Sequence, residues 1–204
     1  TVADNSTLDR EATVAYNLTV TVSDGAKTDT AAITVNVTDV NEHSPVADDA
    51  IFTISEDATN TTVVGTVTAT DTDATASLSY AITAGNADGV FAIDAATGQI
   101  TVEDNSTLDR ETTAAYNLSV TVSDGTKTDT AAVTINVTDV NEHAPVAKDA
   151  TFTVAENADN GFAVGAVIAN DADATASLSY AITAGNDDGV FAIDATTGEI
   201  TLVD

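Results

Sequence analysis

The sequence predicts an all-β fold, a tandem series of antiparallel β-sandwiches. Three observations predict it. Apolar residues alternate with Thr, Ser and Asn over short runs, the period of a strand with one buried face. Glycine and asparagine punctuate the gaps between runs. Residues 1–100 align with 101–200 without a gap. Roughly three in four of those positions are identical, so the folding unit recurs. No window of useful length carries the 3.6-residue period of a helix.

A 100-residue period is the size of a small domain, not of a solenoid turn. The only two prolines, Pro45 and Pro145, lie in DVNEHSPVA (39–47) and DVNEHAPVA (139–147). Proline holds its predecessor extended and removes a donor, which suits a linker. On that punctuation 44–143 is one complete unit. Residues 1–43 are the C-terminal part of a preceding unit, and 144–204 the N-terminal part of the next. TLVD (201–204) matches TVAD (1–4) and TVED (101–104), the opening of a further copy. With neither a start Met nor a leader, the chain reads as an interior piece of something longer.

Within the complete unit the strands follow in order. Phe52 and Ile54 flank Thr53, and a less regular run covers Val64 to Val67. Leu78, Tyr80 and Ile82 share a face, then Phe91 with Ile93, then Ile100 with Val102. Tyr116, Leu118, Val120 and Val122 alternate with Asn117, Ser119 and Thr121; Val133, Ile135 and Val137 alternate with Thr134 and Asn136. Threonine, β-branched, suits the solvated face. Asp124-Gly125 between the two strongest runs predicts a hairpin, and Gly85-Asn86, Asp88-Gly89 and Thr97-Gly98 mark other turns. About seven short strands in about 100 residues make an immunoglobulin-type Greek-key sandwich. The four tyrosines fall on buried parity. Phe162 replaces Thr62 in a loop, where it is expected to be exposed.

The charge is lopsided: 33 acidic against 5 basic residues, a formal net charge of −28 and a pI near 4.1. Such a polyanion repels nucleic acid and anionic lipid. A 43% hydrophobic content in ordered alternation argues against disorder. No run approaches the roughly 18 apolar residues of a membrane span. The absence of cysteine excludes disulfides, thiolate metal sites and a cysteine nucleophile. Paired carboxylates alone could serve a glycosidase, but a sandwich this small seldom offers the cleft, so no enzyme is expected.

The acids recur in step with the repeat: Asp9 and Glu11 with Asp109 and Glu111, Asp39 and Glu42 with Asp139 and Glu142, Asp71 and Asp73 with Asp171 and Asp173. Glu56 and Glu156 follow the first strand of each unit. Clustered like charges cost energy unless neutralised, and five basic residues are too few. Calcium, which takes 6–8 oxygen ligands in flexible geometry, fits this oxygen-rich set better than magnesium or softer metals. Asp71-Thr72-Asp73 does not open an EF-hand, because Ala76 and Ile82 occupy the positions of its glycine and bidentate glutamate. The alternative for the D-x-D pairs and for Asp24 and Asp124 is a turn cap. Arg10 and Arg110 read as local charge balance, and His43 and His143 as linker residues. Sequons such as Asn5-Ser6-Thr7 arise by chance in a Thr-rich chain.

Glu56, A-T-D-T-D (69–73), LDRE (108–111), V-S-D-G (122–125) and DVNEHAP (139–145) stand in one order within one period. In that order and spacing the whole chain resembles the cadherin repeat. The resemblance implies seven-stranded sandwiches with calcium ions at each junction between successive repeats. It implies that Glu56, Asp109, Glu111, Asp139, Asn141, Glu142, Asp171 and Asp173 serve one junction. Asp9, Glu11, Asp39, Asn41, Glu42, Asp71, Asp73 and Asp124 serve the one before it. Glu42 and Glu142 replace the family's Asp, and His43 and His143 its Asn. The absence of Trp leaves the strand-exchange adhesion of vertebrate cadherins without support.

The resemblance implies a calcium-stiffened extender of a secreted or cell-surface adhesin, and composition adds a bacterial source. The alternative is a calcium-dependent module for homophilic or glycan adhesion. Expected partners are neighbouring repeats of the same protein, and a second copy joined head to tail through the complementary parts 1–43 and 144–204.

Overall fold

Alternation decides where the long strands run in this computed structural model, which describes residue 5 and residues 7–203. The Asn5-Ser6-Thr7 sequon and the correspondence of 1–4 with 201–204 fall partly outside the described residues. β1 (Ala15–Ser23) and β2 (Thr28–Asn36) form an antiparallel hairpin, Ala15 opposite Asn36 and Ser23 opposite Thr28. There follow β3 (Val46–Ala47), β4 (Ala50–Ser55), β5 (Val63–Thr66), β6 (Ala69–Thr70), β7 (Ser79–Ala84), β8 (Phe91–Ile93) and β9 (Gln99–Val102). β10 (Ala115–Ser123) and β11 (Thr128–Thr138) make a second hairpin, closed at Asp124-Gly125 as the turn residues predict.

Three of these sets of strands pair into sheets, ordered β4-β11-β10-β7, β5-β9-β8 and β3-β6. The inward residues of the first two share one core: Ile54, Leu118, Val120, Val133 and Ile135 with Phe91, Ile100 and Val102. Apart from Ala115 and Ala132, the outward residues of β10 and β11 are polar, and Thr83 and Thr121 hydrogen-bond across strands at 3.0 Å. The two-residue strands β3 and β6 carry no alternation; they pair through backbone, and Ala47 of β3 also donates its N–H to Asp129 Oδ2 at 2.9 Å and packs on the core. Tyr116 is buried, edge-on to Phe91 with centroids 5.1 Å apart, and donates its hydroxyl to the Thr107 carbonyl at 3.3 Å. Tyr16, Tyr80 and Tyr180 are only half-buried.

By spatial contact the chain divides into two compact units, one of 1–54, 58–108 and 115–137, the other of 55–57, 109–114 and 138–204. The second contains β12 (Val146–Ala147), β13 (Ala163–Ala166), β14 (Ala169–Asn170), β15 (Phe191–Ile193) and β16 (Glu199–Leu202). They pair as β12-β14 and β13-β16-β15. Phe162 is exposed there, as its loop position predicts.

The two hairpins have nearly the same sequence and the same register but opposite environments. Leu118, Val120, Val122, Val133 and Ile135 are 0–3% exposed, whereas Leu18, Val20, Val22, Ile33 and Val35 are 43–63% exposed. The alternation therefore specifies the strand, and its covering is a separate matter.

One backbone position is tightly specified. Gly85 has φ +84°, and a β-carbon there would overlap the Asn117 carbonyl. Gly85→Ala combines left-handed strain with a clash against backbone, an expected loss of about 2–4 kcal/mol. Urea unfolding of the two proteins side by side checks this.

Candidate metal centres

The first cluster lies within the first compact unit and is built by turns. Asp9 caps the turn after it, its carboxylate accepting from Ala12 N–H at 2.9 Å. Asp71 Oδ1 accepts from Asp73 N–H at 3.0 Å, a local turn made by the D-x-D pair itself. Asp124 Oδ1 accepts from Thr126 and Lys127 N–H, both at 2.6 Å. Thr75 donates both its N–H (2.8 Å) and its hydroxyl (2.5 Å) to Asp39 Oδ2. Asn41 gives its amide to the Asp124 carbonyl at 3.3 Å and accepts from the Thr126 hydroxyl at 3.1 Å. Lys127 Nζ meets the Glu42 carbonyl.

At Asp39, Asp71 and Asp124 the hydrogen bonds use one carboxylate oxygen and leave the other. Asp39 Oδ1, Asp71 Oδ2, Asp124 Oδ2 and both Glu11 oxygens are withdrawn from solvent with no hydrogen-bond partner. A buried, donor-less carboxylate oxygen is costly. Carboxylate oxygens left this way suit a hard dication, the chemistry that an all-oxygen set prefers. Turn cap and ligand are compatible roles for these residues.

The second cluster lies within the second unit. Glu56 is buried and accepts from two backbone donors, Arg110 N–H at 2.6 Å and Val140 N–H at 2.5 Å. It thereby holds the LDRE turn and the start of the linker together. Asp109 accepts from Thr112 N–H at 2.9 Å and from its hydroxyl at 3.0 Å. Asp139 accepts from Ala174 N–H at 3.2 Å and Thr175 N–H at 2.6 Å. Asp171 Oδ1 accepts from Asp173 N–H at 3.1 Å, and Asn141 lines the same cavity as Asp171. Glu56, Asp109 and Glu111 each place a carboxylate oxygen within 4.8 Å of the others. Glu11, Glu42 and Asp73 are grouped as tightly with His43, and Glu111, Glu142 and Asp173 with His143; among the described residues, Asp9, Asp39, Asp71, Asp124, Asp139 and Asp171 stand outside these tightest groups.

The histidines lie closer to the carboxylates than a linker role implies. His43 donates its N–H to Asp73 Oδ2 at 2.8 Å, and its Nδ1 lies 2.7 Å from Oδ1. His143 repeats this on Asp173, at 2.9 Å for both. Sequence reading also missed Thr75 and Thr175, whose only signal was the recurrence of D-A-T after the first Asp of each pair. Hydrogen bonding by the Thr75 side chain leads the causes that lower the Asp39 carboxyl, and Arg10, expected to balance local charge, adds to them.

Crowding shows in the proton affinities. A hydrogen bond shared with Asp139, then desolvation, raises Glu111 from 4.5 to about 7. Hydrogen bonding by the Thr175 side chain leads the causes that lower Asp139 to about 2. Hydrogen bonding to Asp73 and Asp173 raises His43 and His143. Glu111 is easier to protonate in the fold than in the unfolded chain. Its contribution is complete below about 4.5 and lost as pH rises through about 7. The histidines act in the same direction, losing theirs as pH rises through their raised values above 6.5. Asp139 acts the other way, but only as pH falls from 3.8 towards about 2. Calcium-free protein should therefore lose melting temperature between about pH 5 and pH 8, and thermal scans in chelator measure this.

A profile of the cadherin domain matches residues 51–138 and 150–204. The human protein Cadherin EGF LAG seven-pass G-type receptor 2 is 37% identical over 201 residues, 95% of this chain and 7% of that protein. Human Protocadherin Fat 1 is 36% identical over 210 residues, 96% of this chain and 4% of that protein. This chain thus spans a small part of the relatives it matches. The solved extracellular cadherin domains 3–6 of Protocadherin Gamma B2 superpose with TM-score 0.80 at 25% identity, covering 96% of this chain and 52% of theirs. The bacterial source expected from composition finds no support among these animal proteins.

Proposed function

This chain belongs to the cadherin family, and on that premise we propose that it is a calcium-binding extender segment of an extracellular adhesion protein. The observation that carries the reading is the set of five solvent-excluded, donor-less oxygens on Glu11, Asp39, Asp71 and Asp124. Calcium supplies the positive charge that such a set lacks. The residues do the rest. Glu56, Asp109 and Glu111 present oxygens from one repeat; Asp139, Asn141 and Glu142 present them from the linker; Asp171 and Asp173 present them from the next. In the earlier copy Asp9 and Glu11, then Asp39, Asn41 and Glu42, then Asp71, Asp73 and Asp124 take these parts. With the charges neutralised the linker is held; without that, carboxylate repulsion loosens it.

The role is structural rather than catalytic. An extracellular setting agrees with the solved neighbours being extracellular cadherin domains, and no described helix is long and apolar enough to cross a membrane. Small-angle scattering in calcium and in chelator tests the extender role. A larger maximum dimension and a narrower distribution are expected with calcium, and identical curves would overturn it.

A compatible second reading is self-association. The uncovered face of Leu18, Val20, Val22, Ile33 and Val35 has the sequence pattern that 50–108 covers in the next copy. Residues 150–204 repeat that covering segment and expose Phe152, Val154 and Ile168. A second copy of this chain supplies the fitting cover, head to tail, a contact that propagates. Sedimentation should show mass rising with concentration; a mass fixed at one chain contradicts it.

A further inference from the structure

We propose that the β1–β2 hairpin of one chain inserts as two strands between residues 150–155 and 179–184 of a second copy, in the register that β10 and β11 take between β4 and β7. This rests on the self-association reading above and gives it a geometry: backbone pairing in one register rather than a loose covering of apolar faces. The complete unit supplies the pattern. Its sheet runs β4-β11-β10-β7, so the β10–β11 hairpin is bonded on both sides. The β1–β2 hairpin (15–36) differs from its counterpart (115–136) at four of 22 positions. Two of the four, Ile33 and Val35 against Val133 and Ile135, exchange places at constant volume. Yet among the described residues β1 and β2 pair only with each other, and both outer edges stay open. Open strand edges are ready to pair with another chain.

The acceptor is equally specific. Residues 78–86 and 178–186 have the same sequence, LSYAITAGN. Ser79–Ala84 forms β7 beside β10, whereas 179–184 forms no strand. Likewise Ala50–Ser55 forms β4 beside β11, and the corresponding 150–155 forms none. These segments become strands where a hairpin lies between them. In the second unit Phe152, Ile182, Gly185 and Phe191 instead line an open cavity of about 300 Å³. Gly185 marks the seat. A β-carbon on Gly85 would overlap the Asn117 carbonyl of β10, while one on Gly185 would meet nothing within 4 Å. The space beside Gly185 is therefore the place for the Asn17 backbone of a second copy. A polar contact is repeated as well. Ala47 N–H donates to Asp129 Oδ2 at 2.9 Å, and Ala147 and Asp29 are the matching donor and acceptor between copies.

The test is register-specific cross-linking, which a chain without cysteine allows cleanly. Thr121 stands opposite Ala81 in the β10–β7 pair, so Thr21 of one chain should stand opposite Ala181 of another. Thr21→Cys and Ala181→Cys proteins, mixed under mild oxidation, should give a disulfide-linked pair of chains rapidly. A mixture of Thr21→Cys with Ser179→Cys, slipped by two residues, should give little, because a disulfide needs α-carbons within about 7 Å. A second arm fills the seat. Gly185 has φ +78°, and asparagine tolerates that region. Gly185→Asn should weaken association, read by sedimentation, roughly tenfold or more. Equal cross-linking in the two mixtures, or a Gly185→Asn chain that associates like the original, would overturn the insertion and leave the self-association reading standing. A mass fixed at one chain defeats both. Should Gly185→Asn fail to fold, the cross-linking decides, since Thr21, Ser179 and Ala181 are all exposed.

Discussion

Adding calcium to the chelated protein should raise its melting temperature by about 5–10 °C for each independent site filled. An ion that binds only the folded state stabilises it by about 2.7 kcal/mol when free ligand stands 100-fold above Kd, and about 2–4 °C accompanies each kcal/mol in a chain of this size. Two clusters are present, so a shift at the upper end or beyond is expected. The gain should be larger at about pH 8 than at about pH 5. Protons on Glu111 and on the carboxylates around it compete with the ion, and the calcium-free form is itself weaker at the higher pH. Differential scanning calorimetry in calcium and in chelator gives both numbers.

Glu56→Ala should be the most damaging single acid replacement. Its carboxylate is buried and is the partner of two backbone N–H groups, those of Arg110 and Val140. Removing it leaves both donors buried at about 1–3 kcal/mol each, and it also deletes a member of the Glu56–Asp109–Glu111 group. A loss of about 2–6 kcal/mol is expected even in chelator, with a reduced response to calcium on top. Glu56→Gln retains one acceptor oxygen and should separate the effects, recovering much of the chelator-state stability while still answering calcium poorly. Asp109→Asn provides a contrast. Asp109 accepts from its own turn at Thr112, so it should affect calcium response more than metal-free stability.

What could be read beforehand follows from what each feature depends on. β10 and β11 were legible because four or more alternating apolar residues specify a face, and their Asp124-Gly125 turn specifies the register. β3 and β6 were not, because two residues paired through backbone leave no mark on side-chain pattern. The contrasting exposure of Leu18 and Leu118 shows a further limit: alternation says which face wants cover, not what covers it. The acids of both clusters were legible because charge without counter-charge recurred at a fixed period. The contacts of His43 and His143 were not, since each meets an aspartate 30 residues on through a turn whose geometry no local spacing encodes. The division of labour between carboxylate oxygens was equally hidden. Asp124 caps its turn with Oδ1 and leaves Oδ2 bare, and a sequence names only the residue.

Direct calcium titration of the whole chain by calorimetry at physiological ionic strength, with Glu11→Gln/Glu111→Gln as reference, tests the central claim. The account predicts saturable binding to at least one site in each cluster, with Kd in the range of about 10⁻⁴–10⁻³ M usual for extracellular modules. It also predicts a clear loss of affinity in the reference protein. Weak, unsaturable uptake that salt abolishes, equal in both proteins, would mean that the carboxylates hold only a diffuse counterion cloud, and would contradict it.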